Sequence, residues 1–241
     1  MNGRHRRAGK STREMADRRY RTRVWFALLM AGVALALLFI VSHSNALGIG
    51  GLGVLGLIIL VRLMMDYADA RAIRMMKEER RAIRGAKAEE RVGSILESLG
   101  EDYLIVDDVV SPFGNIDHVV ISKQNGVFLI ETKSHGGKVS VTNGRVLVNG
   151  HEPEKDFIAQ MLRNTYWLRD KLRQEVRVTA WITPILAFTN AFVEPIPPVK
   201  GVVIVNKKYL VNALQKPSGK GQSATIWASR DKVRETLCHP N

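Results

Sequence analysis

Residues 24–61 contain no Asp, Glu, Lys or Arg, and His43 is the only ionisable side chain in those 38 residues. No other feature narrows the fold so much, because a helix needs only roughly 20 apolar residues to cross a bilayer. The run divides naturally at His43-Ser44-Asn45. It therefore predicts two transmembrane helices, 24–42 and 46–64, forming an antiparallel hairpin. A buried core helix or a cleaved signal peptide would also be apolar. The second apolar run and the absence of a convincing cleavage site after the first argue against a signal peptide.

The flanks predict the orientation. Residues 1–23 hold nine Arg and Lys against Glu14 and Asp17, a net charge of +7. Past the second run come Arg62, Arg71, Arg74, Lys77, Arg80, Arg81 and Arg84, whereas the intervening loop has no Lys or Arg. The positive-inside bias then puts both termini in the cytoplasm. Tyr20 and Trp25 fall where interfacial aromatics are expected. Gly48, Gly50, Gly51, Gly53 and Gly56 allow close helix packing, and hence a homodimer through the transmembrane helices, although no GxxxG register is present. The chain's net charge is +13, so +6 remains outside the tail. Anionic lipid explains the tail's share, and only the remainder counts toward nucleic acid. The single Cys238 excludes an internal disulfide and fits a reducing compartment.

Residues 66–84 read as a charged, solvated helical stalk. Gly85 marks a pause, after which Val92, Ile95, Leu96 and Leu99 recur at helical spacing and Gly100 stands where a C-cap glycine belongs. Strands are expected at 103–110, 116–123, 127–133, 176–188 and 199–205, with a small ribbon from 138–142 and 145–149. Ser134-His135-Gly136-Gly137 is expected to turn into that ribbon. Helices are expected at 157–172 and 208–214, and from Pro217 a loosely held tail with one short helix near 230–237. Alternating elements of this kind give an α/β fold, a mixed central sheet flanked by helices.

The chemistry concentrates in residues 116–133, IDHVVISKQNGVFLIETK. Asp117 opens one strand and Glu131-Thr132-Lys133 closes the next. With a three-residue loop at Gln124-Asn125-Gly126, Asp117 faces Lys133 and Val119 faces Glu131. Asp117, Glu131 and Lys133 then share one face, because side chains alternate with period two. A two-residue Asn-Gly loop would turn Asp117 to the other face; the expectation taken forward is the longer loop. A lone acid at the end of a buried strand commonly just reaches solvent. Three ionisable groups at the ends of two adjacent apolar strands point instead to a site, since buried charge is costly unless paired or metal-bound.

Such a set suits metal-assisted phosphodiester cleavage. Mg²⁺ (or Mn²⁺) prefers carboxylate, water and phosphate oxygens, which Asp117 and Glu131 offer, with the Thr132 carbonyl as a further donor. Lys133 is placed to orient or deprotonate the attacking water, or to offset charge in the transition state. Glu89 lies near the edge of the upstream apolar helix stripe, where it could hold a metal-bound water from the helix side, although such a Glu more often just sits in a first turn favoured by the helix dipole. Lys138 and Arg163 are candidate phosphate contacts.

These residues resemble the NERD (nuclease-related) domain of the PD-(D/E)xK, restriction-endonuclease-like superfamily. The resemblance rests on Gly85-x-x-x-Glu89, Ile116-Asp117-His118-Val119-Val120 and Phe128-Leu129-Ile130-Glu131-Thr132-Lys133, and covers roughly residues 85–214. It implies metal-site acids at Glu89, Asp117 and Glu131, a catalytic lysine at Lys133 and a supporting polar residue at Gln160. Ala88 stands where the family usually has Gly before the helix Glu, and Ser134 where Asn commonly follows the lysine. A transmembrane segment beside the domain is frequent in such proteins. The expected organisation is a basic cytoplasmic tail (1–23), a transmembrane hairpin (24–64), a stalk (65–84), the nuclease-related domain (85–215) and a C-terminal tail (216–241).

The six histidines show no zinc spacing, and His118 is expected to be structural or on the surface, on the opposite side of its strand from Asp117. No Walker-type loop predicts a nucleotide cofactor, and Trp167, Trp181 and Trp227 read as core or semi-buried aromatics. Two function classes follow. One is a membrane-tethered metal-dependent nuclease acting on DNA or RNA at the cytoplasmic face. The other is a non-catalytic module of the same fold that binds nucleic acid or protein.

Overall fold

A computed structural model describes residues 10–43, 50–217 and 223–238. The described chain divides into two compact units, one comprising Thr12–Ile83 and the other essentially everything from Arg84 onward.

The first unit holds α1 (Lys10–Ser42) and the larger part of α2 (Gly51–Glu97). Arg19 Nη1 donates to the Glu78 carbonyl at 3.1 Å, and Arg23 pairs with Glu79 at 2.8 Å, while Val33 and Leu37 lie around one cavity with Val61 and Met65, so within this unit the two helices run antiparallel. Leu28, Leu29, Leu35, Leu38 and Phe39 face outward, exposed. Among the described residues, one helix stretch, Arg13–Ile40, is long and apolar enough to cross a membrane. The proposed loop residues Ser44 and Asn45, and the first residues of the expected second span, lie outside the described residues. The charged stalk and the helix after Gly85 are not separate elements: α2 continues through Gly85 to Glu97. A single glycine inside a helix costs only about 1 kcal/mol, and the helical stretches on either side carry the helix across it.

The second unit is built on a six-stranded mixed sheet in the order β1-β2-β3-β5-β6, with β4 beside the far end of β3. β1 (Tyr103–Val109), β2 (Ile116–Ser122), β3 (Gly126–Thr142) and β4 (Arg145–Val148) pair antiparallel, while β5 (Ile182–Val193) and β6 (Val203–Asn206) extend the sheet in parallel. The chain crosses from β3/β4 to β5 through α3 (Phe157–Lys171), whose N-terminus is capped by Asp156 accepting from Ala159 N. The apolar runs of β2 and β3 show no alternation because both faces are covered. Val119, Val127 and Leu129 pack with Phe157, Met161 and Leu168 of α3 on one face. Val120, Phe128 and Ile130 pack on the other with Val92 and Leu96 of α2 and with Leu210 and Leu214 of α4 (Leu210–Leu214).

Five expectations change. β3 does not end in a turn at residues 134–137; it runs on to Thr142, with a bulge between Lys133 and Gly136. The strand expected from residue 176 starts at Ile182, and the one expected from residue 199 starts at Val203. The C-terminal segment is not a loose tail. α5 (Ser223–Ala228) and α6 (Arg230–Cys238) bury Ile226, Val233 and Leu237 in the same core as α3, since a short helix with one apolar stripe gains enough by docking on a sheet face. Trp181 is 68% exposed rather than semi-buried, lying just before β5 begins.

Candidate active site

The loop between β2 and β3 is Lys123-Gln124-Asn125. Ser122 pairs with Gly126 and His118 with Ile130. The Ser122 hydroxyl accepts from the backbone N–H of Gln124 and Asn125 at 3.3 and 3.1 Å, so the turn closes one residue earlier than the glycine position implied. Gly126, with φ 94°, takes the left-handed conformation glycine tolerates. Continued by one step, this register sets Asp117 opposite Glu131 rather than opposite Lys133. The slide is two residues, a full side-chain period, so Asp117, Glu131 and Lys133 still share one face, the one that α3 covers.

On that face the side chains meet. Lys133 Nζ donates to Glu131 Oε1 at 2.7 Å, and Gln160 Nε2, reaching down from α3, donates to the same oxygen at 3.1 Å. Glu131 is 5% exposed, and its other oxygen, Oε2, is buried without a hydrogen-bond partner; so is Gln160 Oε1. The Thr132 N–H donates to Asp117 Oδ2 at 2.6 Å, tying the acid of β2 to the backbone of β3. Burial, then the charges of Glu131 and Glu89, raise the Asp117 carboxyl well above its ordinary value, against the opposing pull of Lys133 and the Thr132 N–H. Glu89 thus lies near enough to act on Asp117, although its helix packs on the opposite face through Val92 and Leu96.

This donor set fits a hard divalent cation. Glu131 and Glu89 both bear electrostatically on Asp117, and a buried carboxylate oxygen with no donor, Glu131 Oε2, is what a cation would satisfy. Among the described residues no group of three or more His, Cys, Asp or Glu stands ready to hold a metal. Mg²⁺ does not need such a cage, since it is commonly held by one or two carboxylates together with water and substrate phosphate.

Other expected residues fall elsewhere. Lys138 is paired with Glu194 at 2.7 Å, so its charge is already matched. Arg163 is exposed on α3. His118 is fully buried, its Nδ1 2.8 Å from Asp107 Oδ1, on the sheet face opposite the acids. Ala88 is buried in the packing of α2, and the Ser134 carbonyl accepts from Asn190 Nδ2 at 3.2 Å.

Two residues that no spacing in the sequence singles out, His135 and Phe157, lie beside Lys133. Lys133 Nζ sits 4.8 Å from the centroid of the Phe157 ring, and His135 lies against that same ring at 5.5 Å. The paired glycines after the lysine were the available signal. They allow the strand to bulge, and a bulge re-aims the side chains it carries.

Residues 84–189 match the family model of the nuclease-related domain, NERD. The chain thus carries a domain of that family, and the matched span contains Glu89, Asp117, Glu131, Lys133 and Gln160. No curated protein and no solved structure gives a significant match to the chain.

Proposed function

We propose that this protein is a membrane-tethered, metal-dependent nuclease that hydrolyses phosphodiester bonds of DNA or RNA at the cytoplasmic face. The observation that carries the reading is the division of labour on Glu131. Lys133 and Gln160 both donate to Oε1, leaving Oε2 bare and buried beside a second acid, Asp117. Asp117 and Glu131 would hold Mg²⁺ or Mn²⁺, with Glu89 adding negative charge. The ion supplies electrostatic stabilisation of the charge that builds on the phosphoryl oxygens. Gln160 fixes the rotamer of Glu131, and the Thr132 N–H fixes that of Asp117. Lys133 sits where its ammonium can hold the attacking water or offset developing negative charge.

Tethering is supported by the apolar stretch Arg13–Ile40 with its outward-facing leucines, and the cytoplasmic side by the basic residues flanking the apolar run. A hairpin of two spanning helices, and a homodimer formed through them, belong to the same proposal.

The test uses the detergent-solubilised full chain with labelled DNA and RNA, with Mg²⁺, with Mn²⁺ or with EDTA. Cleavage should require the metal and fall by at least ~100-fold in Glu131→Gln and in Lys133→Gln. Cleavage that survives both substitutions would remove the site assignment. Absence of cleavage by a folded chain that still binds nucleic acid or a protein partner would favour the non-catalytic module.

A further inference from the structure

Two residues beyond Lys133, the β3 bulge delivers His135 to the surface of the site. The bulge is pinned from both sides. Asn190 Nδ2 donates to the Ser134 carbonyl at 3.2 Å while Asn190 Oδ1 accepts from Arg91 at 3.1 Å. Gly137 follows with φ 87°, its α-carbon against the Asn149 side chain. The His135 residue is exposed, yet its ring is not adrift. It rests 5.5 Å from Phe157 at 59° and 6.4 Å from Phe188 at 70°, both of which are buried. Phe157 is also the ring against which Lys133 Nζ lies. An aromatic ring held on a rigid base, open on its outer side and adjacent to the proposed catalytic lysine, is a platform.

We propose that His135 is a stacking contact for an unpaired base beside the scissile phosphate, so that the substrate strand is single or locally opened where it enters the site. This rests on the nuclease reading above and specifies its substrate. Charge favours a base over a phosphate as the partner. Partial burial of the ring, and the positive charges of Lys133 and Arg84, lower the His135 pKa, so at neutral pH the imidazole is an uncharged ring. Arg84, exposed beside the ring, supplies a cation for the backbone, and the ring supplies what it lacks. A base inside a duplex hides its faces in the stack and must leave it to meet a protein ring. An unpaired strand presents those faces directly, and stacking on them tolerates any sequence.

Binding is read by fluorescence anisotropy on the full chain in EDTA, where nothing is cleaved. The probes are one labelled oligonucleotide as a single strand, the same strand as a duplex, and a single strand bearing abasic sites. KM and kcat are read separately with Mg²⁺. His135→Ala should weaken single-strand binding and raise KM by roughly tenfold, with kcat and duplex binding nearly unchanged, and His135→Phe should restore both. The unsubstituted chain should bind the abasic strand roughly tenfold more weakly than the intact one, a comparison that needs no variant to fold.

Equal binding of intact and abasic strands by the unsubstituted chain would overturn the proposal. So would His135→Ala that binds single strands normally, or that weakens single strand and duplex alike. Cleavage without any dependence on His135 would remove this inference and leave the nuclease reading. Single-strand binding that depends on His135 without any cleavage would remove the hydrolytic reading and leave this one.

Discussion

Glu131 and Asp117 carry opposite kinds of tension. Glu131 is compensated on one oxygen by Lys133 and Gln160 and bare on the other. Asp117 is pushed toward its neutral form by burial and by the acids around it. A carboxyl that titrates higher when folded than when unfolded adds stability below its unfolded pKa, and that contribution is lost as pH rises through the folded value. At neutral pH the ionised Asp117 is then a net cost, of the sort that functional sites retain at the expense of stability. Asp117→Asn should therefore melt a few degrees above the unsubstituted chain at neutral pH in EDTA, with the gap closing in acid, while cleavage is lost. Thermal melts across pH check this, and a variant that melts lower at neutral pH would contradict it. Asp117, Glu131 and Lys133 could be picked out from the sequence because charge at the ends of apolar strands is conspicuous. The position of His135 beside Lys133 could not, because it depends on a bulge and on two phenylalanines from distant elements.

The hairpin turns one residue earlier on each strand than the sequence implies, yet the same face carries the acids, because a shift of two in register preserves the alternation of side chains. An odd slip would have sent Asp117 to the side of His118. What local sequence did not disclose was continuity. Two glycines in a row suggested a turn, but β3 passes through them because β5 supplies a partner on either side of the bulge. The two glycines are not equivalent. Gly137 has φ 87° and its missing side chain leaves room for Asn149, which accepts from Lys138 N, whereas a side-chain carbon at Gly136 would meet nothing within 4 Å. Gly137→Ala should destabilise the protein by about 2 kcal/mol or more, and Gly136→Ala by well under that. Chemical denaturation of the two variants measures the difference, and equal midpoints would show that the bulge does not need its glycine.

At the scale of the whole molecule, the fold class was open to sequence reasoning because alternating strand and helix patterns leave few architectures. The fate of the C-terminus was not. α5 and α6 are short and flanked by polar residues, and only the sheet surface under Ile226, Val233 and Leu237 explains why they dock. The apolar stretch Arg13–Ile40 is the counterpart in the other unit, a segment whose length and composition alone are informative. The central claim is that this chain brings two carboxylates together to hold a divalent metal. Calorimetric titration of Mn²⁺ into the detergent-solubilised full chain tests it most directly, alongside Asp117→Asn and Glu131→Gln. Binding by the unsubstituted chain should be saturable, and either substitution should abolish it or weaken it at least ~10-fold. Identical titrations for all three proteins would contradict it.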